Sequence, residues 1–255
     1  MQSAAKGLGV AGWRWTAISL AAFVAIWQIG ALIAASRVLP GPVQVAAVLW
    51  SALTDGDLLY QTGATLARVA VAYTVAMIVG TVIGLAMGRS SLANRLLDGW
   101  LILFLNIPAL VVIILCYVWF GLTEAAVVIA VAVNKIPTVA VTLREGARAL
   151  EADYFEMAQS FRVARADVLR HIVLPQLTPF FFAAARSGLA LIWKIVLVVE
   201  LLGRSNGSGF KLHLFFQLFD VASIFAYTLA FVLVVQLIEL VLFQPLERRL
   251  TTWRR

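Results

Sequence analysis

Charge and sulfur are both scarce in this 255-residue chain: 13% of residues are charged and there is one cysteine. Cys116 has no second thiol with which to form an intrachain disulfide. It sits inside an apolar run, where it reads as packing. Histidine is almost missing as well. His171 and His213 are far apart in sequence and fall on opposite sides of the membrane in the topology below, so a shared metal site is excluded and no metal is expected. No glycine-rich phosphate loop of the Walker type occurs, so this chain has no means of hydrolysing ATP itself. Period-two alternation is absent from the apolar runs, which rules out the strands of a lipid-facing barrel.

What the chain has in excess is apolar surface, with 62% hydrophobic residues. Spanning a hydrocarbon core of about 30 Å takes roughly 20 apolar helical residues. Six stretches approach that length: 14–36, 63–88, 99–121, 124–143, 178–202 and 222–245. The expected fold is therefore all-α, a single polytopic membrane domain over residues 1–255 with six transmembrane helices. The first stretch has too long an apolar core for a secretory signal and meets no small-residue cleavage site before Arg37, so it is expected to be a retained anchor.

The net charge of +7 is explained by topology, and no nucleic-acid partner is expected. With the N-terminus in the cytoplasm, the inner segments hold Lys6, Arg14, Arg89, Arg95, Arg144, Arg148, Arg162, Arg165, Arg170, Arg248, Arg249, Arg254 and Arg255. The outer ones hold only Arg37, Arg204 and Lys211. Both termini are accordingly placed in the cytoplasm.

Residues that break the apolar pattern are the candidates for function. Gly80, Gly84 and Gly88 recur every fourth position in the second span, clearing one helix face for close approach of another backbone. The third span is interrupted at Asn106, Ile107 and Pro108, the fourth at Asn134, Lys135, Ile136 and Pro137. Such breaks either line a translocation path or are kinks packed inside the bundle. Lys135 favours the path, because an ammonium near the bilayer centre costs at least about 2.5 kcal/mol and must face water, a partner or a substrate. Lys194 in span five would add to a positive lining, which points to an anionic solute. Arg186 and Glu239 fall in the same halves of spans five and six and are expected to form a buried pair, with snorkelling or gating as the alternatives.

One segment stands apart: residues 144–176, a charged insertion that reads as two short helices. In the first, Leu150, Tyr154, Met157, Ala158 and Phe161 share a face expected to pack on the bundle, opposite Glu151, Asp153, Glu156 and Gln159. In the second, Val168, Leu169, Ile172 and Val173 oppose Asp167, Arg170 and His171 until Pro175 ends the helix. The residues alone leave open whether this loop meets a protein partner or lies on the lipid surface.

The order Glu156, Ala158, Ile172, Leu174 and Pro175 resembles the Glu-Ala-Ala loop of permease subunits of bacterial ATP-binding-cassette importers. Across nearly the whole chain the resemblance is to the nitrate, sulfonate and taurine branch: LPGP from Leu39 to Pro42, WFGLTE from Trp119 to Glu124, the series Arg186, Leu189, Trp193 and Glu200, GSGF from Gly207 to Phe210, and LERRL from Leu246 to Leu250. The resemblance implies that residues 156–171, with Arg162, Arg165, Asp167 and Arg170 among them, form a coupling helix against a separate ATPase dimer that binds ATP and Mg. It implies a second permease copy, a solute-binding protein outside the cell, and a location in the bacterial inner membrane. The path would include Asn106, Pro108, Asn134, Lys135, Lys194 and Glu200. Arg162 departs from the family, which places glycine there; a left-handed turn would cost a residue with a Cβ about 1 kcal/mol. Two other classes are open to a chain of this composition. A self-contained ion-coupled carrier would use Glu239 as its coupling acid, but no inverted repeat is visible; a non-transporting scaffold would have no use for the coupling loop.

Overall fold

The computed structural model describes residues 10–36, 38–54 and 56–245. Lys6, Arg37, Asp55, the LERRL stretch, Arg254 and Arg255 lie outside them. Every regular element among the described residues is helical: α1 (Val10–Ala34), α2 (Pro42–Thr54), α3 (Leu58–Arg89), α4 (Ser91–Asn106), α5 (Ala109–Phe120), α6 (Glu124–Arg148), α7 (Ala152–Ser160), α8 (Arg165–Val168), α9 (Leu174–Gly203), α10 (Ser208–Gln217) and α11 (Val221–Ile238). Five helical stretches are long and apolar enough to cross a membrane, and a sixth is supplied by α4 and α5, which meet at 98°. The chain is a polytopic membrane protein. The bend falls at Ile107 and Pro108, whose extended backbone (ψ 125° and 133°) separates the two helices. Pro137 behaves differently: α6 runs through it unbroken. The expected interruption of the fourth span is thus absent, and the lost proline N–H is absorbed inside a helix packed on both sides.

The described residues form two compact units. One comprises the chain up to Leu59 together with Lys211–Leu233. Here Pro42 opens α2 at the position where its missing N–H is harmless, and the Trp27 indole donates to the Pro40 carbonyl at 3.0 Å. Asp57 ties the unit together, paired with Lys211 at 2.7 Å and accepting from the Tyr227 hydroxyl at 2.9 Å.

The other unit, Tyr60–Phe210 with the chain from Val234 on, is built around α6. Half of the described helix is fully buried, and its most extensive contact is with α9. The α3 glycines make a further contact possible. A Cβ at Gly80 would stand 2.6 Å from the Val139 Cβ and 3.0 Å from the Ile136 carbonyl; at Gly84 it would stand 2.5 Å from the Ala140 carbonyl; at Gly88, 2.9 Å from the Arg144 carbonyl. The α3 backbone therefore lies directly on α6. With 25 residues, α6 is about 37 Å long, enough to cross the bilayer and emerge on one side. At its far end Arg144 pairs with Asp98 at 2.5 Å and Arg148 donates to Asn94 at 2.8 Å, which fixes α4 alongside.

Candidate functional site

Two polar constellations occupy the opposite ends of α6 and α9. At one end is the charged loop. It leaves α6 after Arg148, forms α7, turns, and re-enters through α8 and a wide π-helical turn, Leu169–Val173, that runs without a break into α9. The second loop helix and span five are thus one continuous rod. Pro175 does not end a helix as the sequence suggested; it occupies the first turn of α9, where a missing N–H is tolerated.

The loop keeps only part of the expected packing. Ala158 is buried, and Leu150, Phe155 and Val168 pack against Ala147, Val173 and Leu177. Tyr154 and Met157, expected on that face, are instead about half exposed, and Phe161 is 79% exposed. Helix α7 therefore presents an apolar stripe outward. Glu156, Arg165, Asp167, Arg170 and Leu174 are exposed with it, while Ile172 and Pro175 are half-buried. Arg162 sits at φ +52° in a closed left-handed turn: its N–H donates to the Gln159 carbonyl at 3.1 Å and the Val163 N–H to the Ala158 carbonyl at 2.9 Å. This is a left-handed helix cap with arginine where glycine would be unstrained.

At the other end is a charge cluster centred on Arg68 of α3, a residue the sequence reading did not single out. Its guanidinium donates to Glu124 at 2.7 and 2.8 Å, to Glu200 at 2.6 Å, and to the carbonyl and side chain of Asn206. Glu200 is fully buried and accepts further bonds from the Thr65 hydroxyl and the Gly209 N–H, each at 2.9 Å. Glu124 also pairs with Arg204 at 2.5 Å. Three consecutive amides at the start of α10 are thus taken by side chains: Gly207 by Gln61, Ser208 by Thr65, Gly209 by Glu200. Gly207 needs its φ of +108°, and a side chain there would collide with the Glu200 carboxylate. Glu124 of the WFGLTE signature and Glu200 therefore meet on one arginine, and GSGF joins them through the Gly209 bond to Glu200. The rule that selected Lys135, that a charge inside a span demands a partner, would have selected Arg68 too.

The remaining candidates are dispersed. Asn106 and Pro108 are exposed at the α4–α5 bend, and Asn106 donates to the Ile102 carbonyl of its own helix. Asn134 likewise donates to Ala130. Lys194 is exposed on α9, whereas Lys135 is buried within the unit, so the two do not share a surface. Glu200, with its oxygens committed to the Arg68 cluster, lines no opening in this conformation. Arg186 and Glu239 pair at 2.6 Å, yet about half of the arginine side chain is exposed, so the pair is not the buried one expected.

Known proteins share this pattern. The chain is 27% identical to a permease of Bacillus subtilis named for aliphatic sulfonates transport, over 95% of this chain and 88% of that one. It is 27% identical to the taurine transport system permease protein of Escherichia coli over 94% and 93% of the two chains. Identity to the nitrate import permease protein of Leptolyngbya laminosa is 26% over 76% and 72%. Residues 76–244, which take in α6, the charged loop and α9 whole, match the binding-protein-dependent transport system inner membrane components, and the chain belongs to that family: it is a multi-pass transport permease, not itself an enzyme.

Proposed function

We propose that this chain is the transmembrane subunit of an ATP-driven importer, working as a pair with a second copy of itself. A separate ATPase dimer, which binds the ATP and Mg, docks on the loop between α6 and α9, and a solute-binding protein delivers the solute at the opposite face. The solute class is a small oxyanion such as nitrate, a sulfonate or taurine, in keeping with the relatives' names. Both termini and the loop lie in the cytoplasm.

The observation that carries the reading is the outward stripe of Tyr154, Met157 and Phe161 on α7, flanked by exposed charges. A stripe of large apolar side chains on a segment that leaves the bilayer fits a protein groove better than water. Because α6 and α9 both run from this loop to the Arg68 cluster, a displacement at the loop reaches the other end of the unit through two packed helices rather than through a flexible chain. An ion-coupled carrier fits less well, since Glu239, the acid it would need, is held by Arg186.

The test is retention of the ATPase subunit on the affinity-purified permease. Phe161→Ala and Glu156→Lys should each lower retention while leaving the permease inserted and its unfolding temperature unchanged. Full retention in both variants, with normal transport, would remove the coupling role from α7.

A further inference from the structure

Lys135 lies near the middle of α6, is 1% exposed, and has no hydrogen-bond partner for its Nζ. Among the described residues no carboxylate stands within ion-pair distance of it. Its stem rests against Gly188 of α9: a Cβ built there would be 3.1 Å from the lysine Cε and 3.4 Å from the Tyr73 ring of α3. The contrast with Arg68 in the same unit is sharp. Arg68 is equally buried, but its guanidinium is held by two carboxylates and an asparagine. Lys135 offers three donors to nothing.

An amine buried without a partner destabilises a fold, and a side chain of the same length without charge would pack there at less cost. No structural role therefore accounts for it. We propose that Lys135 is an anion-binding group of the translocation path, stowed in this conformation in the recess left by Gly188, and that it meets an oxygen of the solute's anionic group when α9 and α3 move away from it. The proposal rests on the importer reading and adds to it a residue, a ligand chemistry and a dependence on conformation. Stowing has a thermodynamic consequence: the apparent affinity for the anion is reduced by the fraction of molecules in which Lys135 is released.

The unfolding midpoint of the full-length chain, purified with its ATPase subunit, is measured in nitrate, methanesulfonate and sulfate against chloride at equal ionic strength. In the natural chain at least one of the three should raise the midpoint. Lys135→Met should unfold at the same or a higher temperature without added anion, and should need roughly tenfold more anion for the same rise. Gly188→Ala crowds the recess and should lower the anion concentration at half effect. The proposal is overturned if none of the three anions stabilises the natural chain, or if Lys135→Met responds at the same anion concentration as the natural chain. It is equally overturned if Lys135→Met lowers the midpoint without anion, which would mean that a carboxylate, for instance on the second permease copy, already satisfies the amine. An unchanged or weaker anion response in Gly188→Ala removes the stowing. Failure of an ATPase subunit to co-purify with the natural chain would sink the importer reading, while the same anion titration on the permease alone still decides Lys135.

Discussion

Arg68 and Glu200, 132 positions apart in sequence, form an ion pair at 2.6 Å in which the carboxylate is wholly buried. Removing one partner of such a pair leaves a desolvated charge, which costs more than the pair itself contributes. Arg68→Met should destabilise the permease by about 3–5 kcal/mol. The double variant Arg68→Met, Glu200→Leu should recover a large part of that loss, because no uncompensated charge remains. Thermal unfolding of the two single variants and the double variant in detergent gives the coupling directly; additive losses would show that the two side chains act independently.

The helices were legible in the sequence because a bilayer sets their length, and a run such as 178–202 differs from α9 by only a few residues. The bend at Pro108 was legible for a similarly local reason: proline disfavours the helix at the residue before it, here Ile107. Pro137 was misread because tertiary packing of α6 between α3 and α9 decides whether a helix breaks, and packing is not local. The Arg68 cluster was invisible as a cluster since its members come from four helices and a loop, although each signature that feeds it was recognised separately. The α7 face is the expected one only in part: Leu150 and Ala158 pack inward, whereas Tyr154, Met157 and Phe161 do not. Helical periodicity identifies an apolar stripe but not which edge of it is covered, and here Phe155 joins Ala158 toward the protein while Tyr154 and Phe161 turn outward.

Two glycines of α3 should respond oppositely to the same substitution. At Gly84 a methyl group would stand 2.5 Å from the Ala140 carbonyl, a backbone atom that cannot move without moving α6. Gly84→Ala should cost about 1–3 kcal/mol. Gly63 has nothing within 4 Å of the same position. Gly63→Ala should be neutral or stabilise the helix by up to about 1 kcal/mol. Unfolding midpoints of the two variants side by side check this, and equal effects would mean that the close α3–α6 approach does not form.

The loop between α6 and α9 and the turn before α10 should face opposite sides of the membrane. Reporter cysteines in a Cys116→Ala background belong at Ser160 and Ser205, both exposed; Ser208 is unsuitable, being 1% exposed. An impermeant maleimide added to intact cells should label Ser205→Cys and reach Ser160→Cys only after the inner membrane is opened. Labelling of both from outside would overturn the orientation drawn from the positive charges.

Arg162 tests whether a residue is kept for its side chain or merely tolerated by its backbone. At φ +52° an arginine pays the left-handed penalty of about 1 kcal/mol, which glycine does not. The two capping bonds from Arg162 and Val163 involve only backbone atoms, so glycine retains both. Arg162→Gly should therefore slow amide exchange across residues 158–164 by roughly fivefold, the equivalent of about 1 kcal/mol in local opening. A β-branched residue is least suited to this conformation, and Arg162→Val should speed exchange instead. ATPase retention then separates the two accounts. If Arg162→Gly holds the ATPase as well as the natural chain, the exposed guanidinium is dispensable and only the turn matters. If retention falls although the turn has become more stable, the side chain itself contacts the ATPase, and the strain at this position accompanies a contact that glycine cannot make.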